Sequence, residues 1–270
     1  MAAERQPDER YRLRYSYFFR FLLATLLGRR RDLAPDIKAI LERFRPPPRI
    51  IDDHHVPPEG PFVLVANHYE RPGLRVYWGG MAITAAVYGR RRSGRSLRWL
   101  MTSEWYNFRL AGLVPVPVWF LRWLFRRIAR VYGLVIVPRS PQRVAGRATA
   151  MRAIMEVLDR QRQPIALYPE GTGREALIEA LPGTGLFLYS ITRRGIPVLP
   201  AGVFETDGLL TIRFGPPFAI QLPQGVDKRQ RDRLARDQVM SHIGRLLPEH
   251  MRGPYTLAVE QLLERSGRMA

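Results

Sequence analysis

Apolar and polar residues fall along this chain in two kinds of block. Short unbroken apolar runs, Pro61 to Ala66 and Pro164 to Tyr168, have the form of buried strands, and Ile196 to Val203 reads as another strand. Arg49 to Val56, Leu97 to Thr102, Gly133 to Val137 and Leu209 to Phe214 read as further strands. Between them lie longer helical stretches: Gly73 to Tyr88, Val144 to Arg160, Thr184 to Arg194 and Lys228 to Leu247. Strands alternating with helices predict an α/β fold, with a largely parallel or mixed sheet flanked by helices. No internal repeat is visible.

The first part of the chain follows a different pattern. Tyr15, Phe18, Phe19, Leu22, Leu23 and Leu26 recur at helical spacing between arginines. They predict an amphipathic helix over Tyr15 to Leu27, either lying in a lipid interface or docked on the core. A second helix, Pro35 to Phe44, ends before Pro46-Pro47-Pro48. That proline run divides an N-terminal helical, membrane-interface segment, 1–48, from an α/β domain, 49–270. In the Phe108 to Val131 region, Val118-Trp119-Phe120-Leu121 and Trp123-Leu124-Phe125 alternate with Arg122, Arg126, Arg127 and Arg130. Such a helix suits a headgroup boundary, with core packing as the competing reading.

Charge and composition narrow the classes. The 43 basic residues exceed the 24 acidic ones by enough to give a formal charge of +19, and the only lysines are Lys38 and Lys228. Such a field draws polyanions, either an anionic lipid surface or nucleic acid. No nucleic-acid-binding module is recognisable, so a basic nucleic-acid-binding protein is the remote alternative. Cysteine is absent, which excludes thiol nucleophiles and cysteine-ligated metals. No apolar run reaches the roughly 18 residues needed to span a bilayer, and no signal-peptide cleavage pattern is present. The expected location is cytoplasmic, peripheral on the cytosolic membrane face.

The candidate chemistry sits at strand ends. Asn67-His68 follows the first buried run, Arg139 follows Val135-Ile136-Val137-Pro138, and Glu170-Gly171-Thr172 follows Leu167-Tyr168-Pro169. Open α/β sheets place their ligands there. Asp52-Asp53-His54-His55 is acidic and histidine-rich, but neighbours on a strand point to opposite faces, so no metal site is expected. His242 and His250 stand alone and are expected to be structural. No serine-hydrolase elbow and no Walker lysine occur.

Val65-Ala66-Asn67-His68, Val135 to Arg139, Leu167 to Thr172 and Ile196-Pro197-Val198-Leu199-Pro200-Ala201-Gly202 occur in the order seen in the glycerol-phosphate and lysophosphatidic-acid acyltransferase superfamily. Leu246-Leu247-Pro248 with Arg252-Gly253 also resembles a C-terminal segment of many members. The resemblance covers roughly residues 50 to 255. It implies transfer of a fatty acyl group from an acyl thioester, acyl-CoA or acyl-carrier protein, to a glycerol-phosphate or lysophospholipid hydroxyl. The acyl thioester is a co-substrate, and no resident cofactor or metal is implied. His68 takes the position of the general base, a role that a pKa near neutrality suits. Asn67, Arg139, Glu170, Gly171, Thr172 and Arg174 are the implied substrate-binding residues, Arg139 through bidentate contact with phosphate.

The chain departs from that pattern in three places; one is Pro138, where an aspartate often precedes the arginine. The family's aspartate, five residues after the histidine, is Gly73 here, so the ring lacks its usual orienting carboxylate. Glu70 is the candidate replacement, with Glu104 a second. An arginine usually follows the threonine directly, whereas here Gly173 intervenes before Arg174. The alternative reading is a catalytically impaired relative that binds lipid or acyl thioester without efficient turnover.

Overall fold

The computed structural model describes residues 11, 15–102, 109–110, 114–137 and 144–267. Helices α1 (Tyr15–Leu27) and α2 (Leu33–Leu41) lead into β1 (Arg49–Ile51), β2 (Val63–Ala66), α3 (Val76–Arg90) and β3 (Arg98–Thr102). A hairpin of β4 (Arg109–Leu110) and β5 (Val114–Pro115) precedes α4 (Val118–Tyr132) and β6 (Val135–Val137). Then come α5 (Val144–Met155), β7 (Ile165–Leu167), α6 (Thr184–Thr192), β8 (Val198–Thr206), β9 (Leu209–Phe214), α7 (Lys228–Gly244) and α8 (Thr256–Gly267).

Seven strands form one sheet in the order β1-β9-β8-β2-β7-β3-β6. The five from β8 to β6 are mutually parallel. β9 runs antiparallel to β8, and β1 pairs parallel with β9, so these two run the other way. The sheet is therefore mixed and largely parallel, flanked by helices, as the alternating pattern predicts. All four residues of β2 are buried, as befits a central parallel strand covered on both faces. Successive residues of β8 mark the two helical layers. A Cβ on Gly79 of α3 would meet Val203, while one on Gly202 would meet Leu246, just past α7.

Several boundaries differ from the sequence expectation, each for a local reason. The strand expected over Arg49 to Val56 ends at Ile51, because Asp52 takes φ +56 and starts a 3-10 turn, Asp53–His55. The helix expected from Gly73 begins at Val76, after a tight turn at Pro72-Gly73. α2 starts at Leu33, where the Asp32 carboxylate accepts the Ala34 N–H at 3.2 Å. The β4–β5 hairpin and α8 have no counterpart in the sequence reading. The N-terminus of α6 is capped from another helix: Asp232 of α7 accepts the Gly183 and Leu186 N–H groups, each at 2.9 Å.

The N-terminal helices pack differently from one another. α2 buries Ile37 and Leu41 in the same core as the sheet. α1 lies on α4, where Ala24 joins Val131 and Tyr132 in a small separate cluster. No helix among the described residues is long and apolar enough to cross a membrane.

Candidate active site

β2 and β7 are parallel neighbours, so they end at the same edge of the sheet. From β2 the chain moves on to β3, on one side; from β7 it crosses to β8, on the other. Where outgoing connections diverge in this way, a crevice opens beyond the carboxyl ends of the strands. β2 delivers Asn67 and His68 to that edge, and β7 delivers Tyr168 to Thr172.

The two segments continue to pair beyond their strands. The Arg174 N–H donates to the His68 carbonyl at 3.0 Å, and the Glu70 N–H donates to the Arg174 carbonyl at 3.1 Å. Glu170 locks them together. One carboxylate oxygen accepts the His68 N–H at 2.5 Å and the other accepts the Ile178 N–H at 3.0 Å. With 2% of its surface exposed, Glu170 is pushed up to about 7 by burial, against the pull of these two donors. Asn67 is equally committed. Its amide donates to the Val203 carbonyl at 2.8 Å and accepts the Val203 N–H at 2.7 Å, tying β2 to β8. Both side chains were expected to bind substrate; here their polar atoms are taken up in holding the strand ends.

The His68 ring packs edge-on against Tyr168 at 4.7 Å between centroids, and Tyr168 lies 4.7 Å from Trp99. Burial lowers the His68 pKa below the ordinary histidine value, with the Glu70 carboxylate pulling the other way. Its Nδ1 is buried and meets no hydrogen-bond partner, leaving Nε2 as the nitrogen available to a ligand. A Cβ on Gly173 would sit 2.9 Å from that Nδ1 and 2.5 Å from a Glu70 oxygen. Only a glycine lets the loop backbone close over both groups. Glu70 is therefore a near neighbour of the ring without bonding to it, and its other oxygen accepts a 2.7 Å bond from Arg75. Thr172 and Arg174 are exposed on the same loop, and Gly171 turns it with φ +65. Arg139 and Glu104 lie outside the described residues.

The glycine at position 73, where the resembled pattern has aspartate, has a structural explanation. The Arg71 N–H and carbonyl both bond Leu74, at 3.1 and 3.0 Å, closing a turn with Pro72 and Gly73 at its corners. Gly73 takes φ +87, the conformation that favours glycine at this corner after proline. Next to the turn, Arg71 grips Glu205 of β8 with two arms, one of them 2.7 Å, while Tyr11 and Tyr69 donate to the same carboxylate at 3.0 and 3.1 Å. Burial alone would raise the Glu205 pKa, but these donors outweigh it and leave it lowered. Sequence reasoning missed Arg75, Gly173, Tyr168 and the Arg71–Glu205 pair. Only Gly173 left a signal, as the extra residue between Thr172 and Arg174.

Among the described residues no cluster of histidines and carboxylates could hold a metal ion; Asp53, within the acidic–histidine run, pairs with Arg90 through two bonds of 2.6 and 2.7 Å.

No family model matches the chain, and no curated protein matches it. Among solved structures, it is similar to the crystal structure of the 1-acyl-sn-glycerophosphate (LPA) acyltransferase PlsC from Thermotoga maritima. The identity is 16% and the TM-score 0.40, over 86% of this chain and 89% of that one. The residues around His68, rather than so distant a likeness, are the ground for assigning a function.

Proposed function

We propose that the protein transfers a fatty acyl group from an acyl thioester to a hydroxyl of glycerol-phosphate or a lysophospholipid, with His68 as general base. The observation that carries this reading is the placement of His68. It stands at a parallel-sheet switch point, its backbone clamped by Glu170, its Nδ1 side covered by Gly173 and its Nε2 free. Burial lowers its pKa, which keeps the imidazole neutral and able to accept a proton at neutral pH. Nε2 takes the hydroxyl proton as the oxygen attacks the thioester carbonyl. The C–S bond then breaks, and the departing thiolate recovers the proton from the imidazolium. Glu70 stabilises that imidazolium through space, held in place by Arg75. The exposed Arg174 and Thr172 offer an anion contact and a hydroxyl at the rim. Arg139 is assigned to the substrate phosphate by resemblance. The donor is acyl-CoA or acyl-carrier protein.

A second reading, lipid or acyl-thioester binding without efficient turnover, draws on the unbonded Nδ1. The test follows thiol release from acyl-CoA with a panel of lysophospholipids, for wild type and His68→Ala. The enzyme reading expects a fall of about 10²–10⁴-fold in the variant. Equal rates would end that reading and leave the binding one.

A further inference from the structure

At the buried end of the His68 ring, Nδ1 has no hydrogen-bond partner. Nothing bonded there sets the rotation of the ring about its last torsion, and that torsion is intrinsically broad. A general base whose ring turns freely meets the hydroxyl in a productive geometry only part of the time. Glu170 fixes the His68 backbone, but the backbone alone does not set the ring.

Tyr168 is placed to do so. It directly follows β7, two residues before Glu170, and its ring meets the His68 ring at 4.7 Å between centroids with the planes 70° apart. The charge distribution of aromatic rings favours that edge-to-face arrangement, which has a defined angle. Behind Tyr168 is a bonded support. Trp99 of β3 lies 4.7 Å from it with the planes 30° apart, and the Trp99 Nε1–H donates to the Thr84 hydroxyl of α3 at 2.9 Å. Thr84 donates in turn to the Gly80 carbonyl at 2.7 Å, which ties the stack into the helix. A Cβ on Gly80 would stand 2.9 Å from the Tyr168 hydroxyl oxygen and 3.6 Å from the Trp99 ring, so any larger residue would push α3 off both rings.

The Tyr168 hydroxyl separates what the ring does from what a polar group would do. It is buried against α3 and meets no hydrogen-bond partner. Burial pushes its pKa far above the ordinary tyrosine value, so it stays neutral. A buried hydroxyl without a partner costs stability, whereas the ring keeps its contact with His68. The part of Tyr168 that acts on the site is therefore the ring.

We propose that Tyr168 is the positioning residue for His68: its ring, backed by Trp99 and Thr84, holds the imidazole by aromatic packing in the attitude that a bonded carboxylate would otherwise impose. This rests on the reading of His68 as general base. The test compares, in the full chain, Tyr168→Phe, which keeps the ring, with Tyr168→Leu, which removes it. In thiol release from acyl-CoA with a lysophospholipid acceptor, Tyr168→Phe should match wild type. Tyr168→Leu should lose about 10–100-fold in kcat with the acceptor KM little changed, because a misplaced base costs rate rather than binding. Nuclear Overhauser effects between the His68 ring and the Gly173 α-protons read the attitude of the ring directly. They should be equal in wild type and Tyr168→Phe and weaker in Tyr168→Leu. The thermal midpoint of Tyr168→Phe should equal or exceed that of wild type, since an unpartnered buried hydroxyl is removed. If Tyr168→Leu does not fold, Tyr168→Met, which fills the space with a flexible chain, takes its place with the same expectations. A loss of rate in Tyr168→Phe as large as in Tyr168→Leu overturns the proposal in favour of the hydroxyl. So do unchanged Overhauser effects in Tyr168→Leu, or a kcat that stays at the wild-type level. Wild-type turnover no faster than that of His68→Ala ends the acyltransferase reading instead, and the Overhauser effects alone then decide whether Tyr168 holds the ring.

Discussion

Around His68, polar side chains are turned inward and committed to partners: Glu170 to the backbone of His68 and Ile178, Asn67 to the backbone of Val203, and Glu205 to the side chains of Arg71, Tyr11 and Tyr69. On the α1–α4 pair the economy is reversed, with Phe19 64% and Trp119 71% exposed while polar groups ring them. The first arrangement makes a rigid setting. Two segments that merely follow strands become a fixed pair, because the buried His68 and Ile178 N–H groups share the Glu170 carboxylate, whose loss would be costly. The second leaves apolar surface unspent, and such surface gains free energy only when something covers it.

The contrast can be broken most strongly at Glu170. Glu170→Ala leaves two buried N–H groups without acceptors and should lower unfolding stability by roughly 2–4 kcal/mol, read by chemical denaturation. The same residue predicts a pH slope. Its folded pKa of about 7 lies above the ordinary glutamate value, so the folded state holds a proton that the unfolded chain has released. Wild type should then lose stability as pH rises through that interval, and Glu170→Ala should lack this component.

Glu70→Gln probes the site more finely. It removes a charge that raises the His68 pKa against the lowering by burial, so that pKa should fall further. The acid limb of the rate profile should move to lower pH, with a rate loss of about tenfold or more at its plateau and little change in lysophospholipid binding. An unchanged acid limb would show that Glu70 does not act on the ring. Gly73→Asp, which supplies the aspartate of the acyltransferase pattern that the sequence resembles, should not improve catalysis. At φ +87 a side chain costs about 1–2 kcal/mol, to be seen as lost stability with no gain in rate. The smallest effect is expected for Arg127→Gln, about 1 kcal/mol or less by thermal unfolding, as the end of α1 loosens from α4.

Much of the sheet was legible because central parallel strands are short, wholly apolar and bounded by turn residues, as Val63–Ala66 and Ile165–Leu167 are. The Tyr15–Leu27 helix was legible through its periodicity. Where a single backbone torsion decided the outcome, the pattern misled: Asp52 cut a strand short, and Pro72-Gly73 delayed a helix. The β4–β5 hairpin, with two residues to each strand, was too short to leave a period. At the site, the sequence placed His68, Glu70 and Glu170 at strand ends, but type and position did not reveal what each side chain bonds.

By itself, then, the sequence determined the α/β class, the strand that presents His68 and the amphipathic character of α1 and α4, because these follow from local periodicity and the burial it demands. Only the tertiary structure decided that Glu170 and Asn67 hold backbone, that Gly173 closes over His68 and Glu70, and that Arg127 of α4 bonds the end of α1. Those outcomes depend on which segments meet across the fold, and pairings between residues such as Leu26 and Arg127 or Asn67 and Val203 leave no trace in the spacing of either partner.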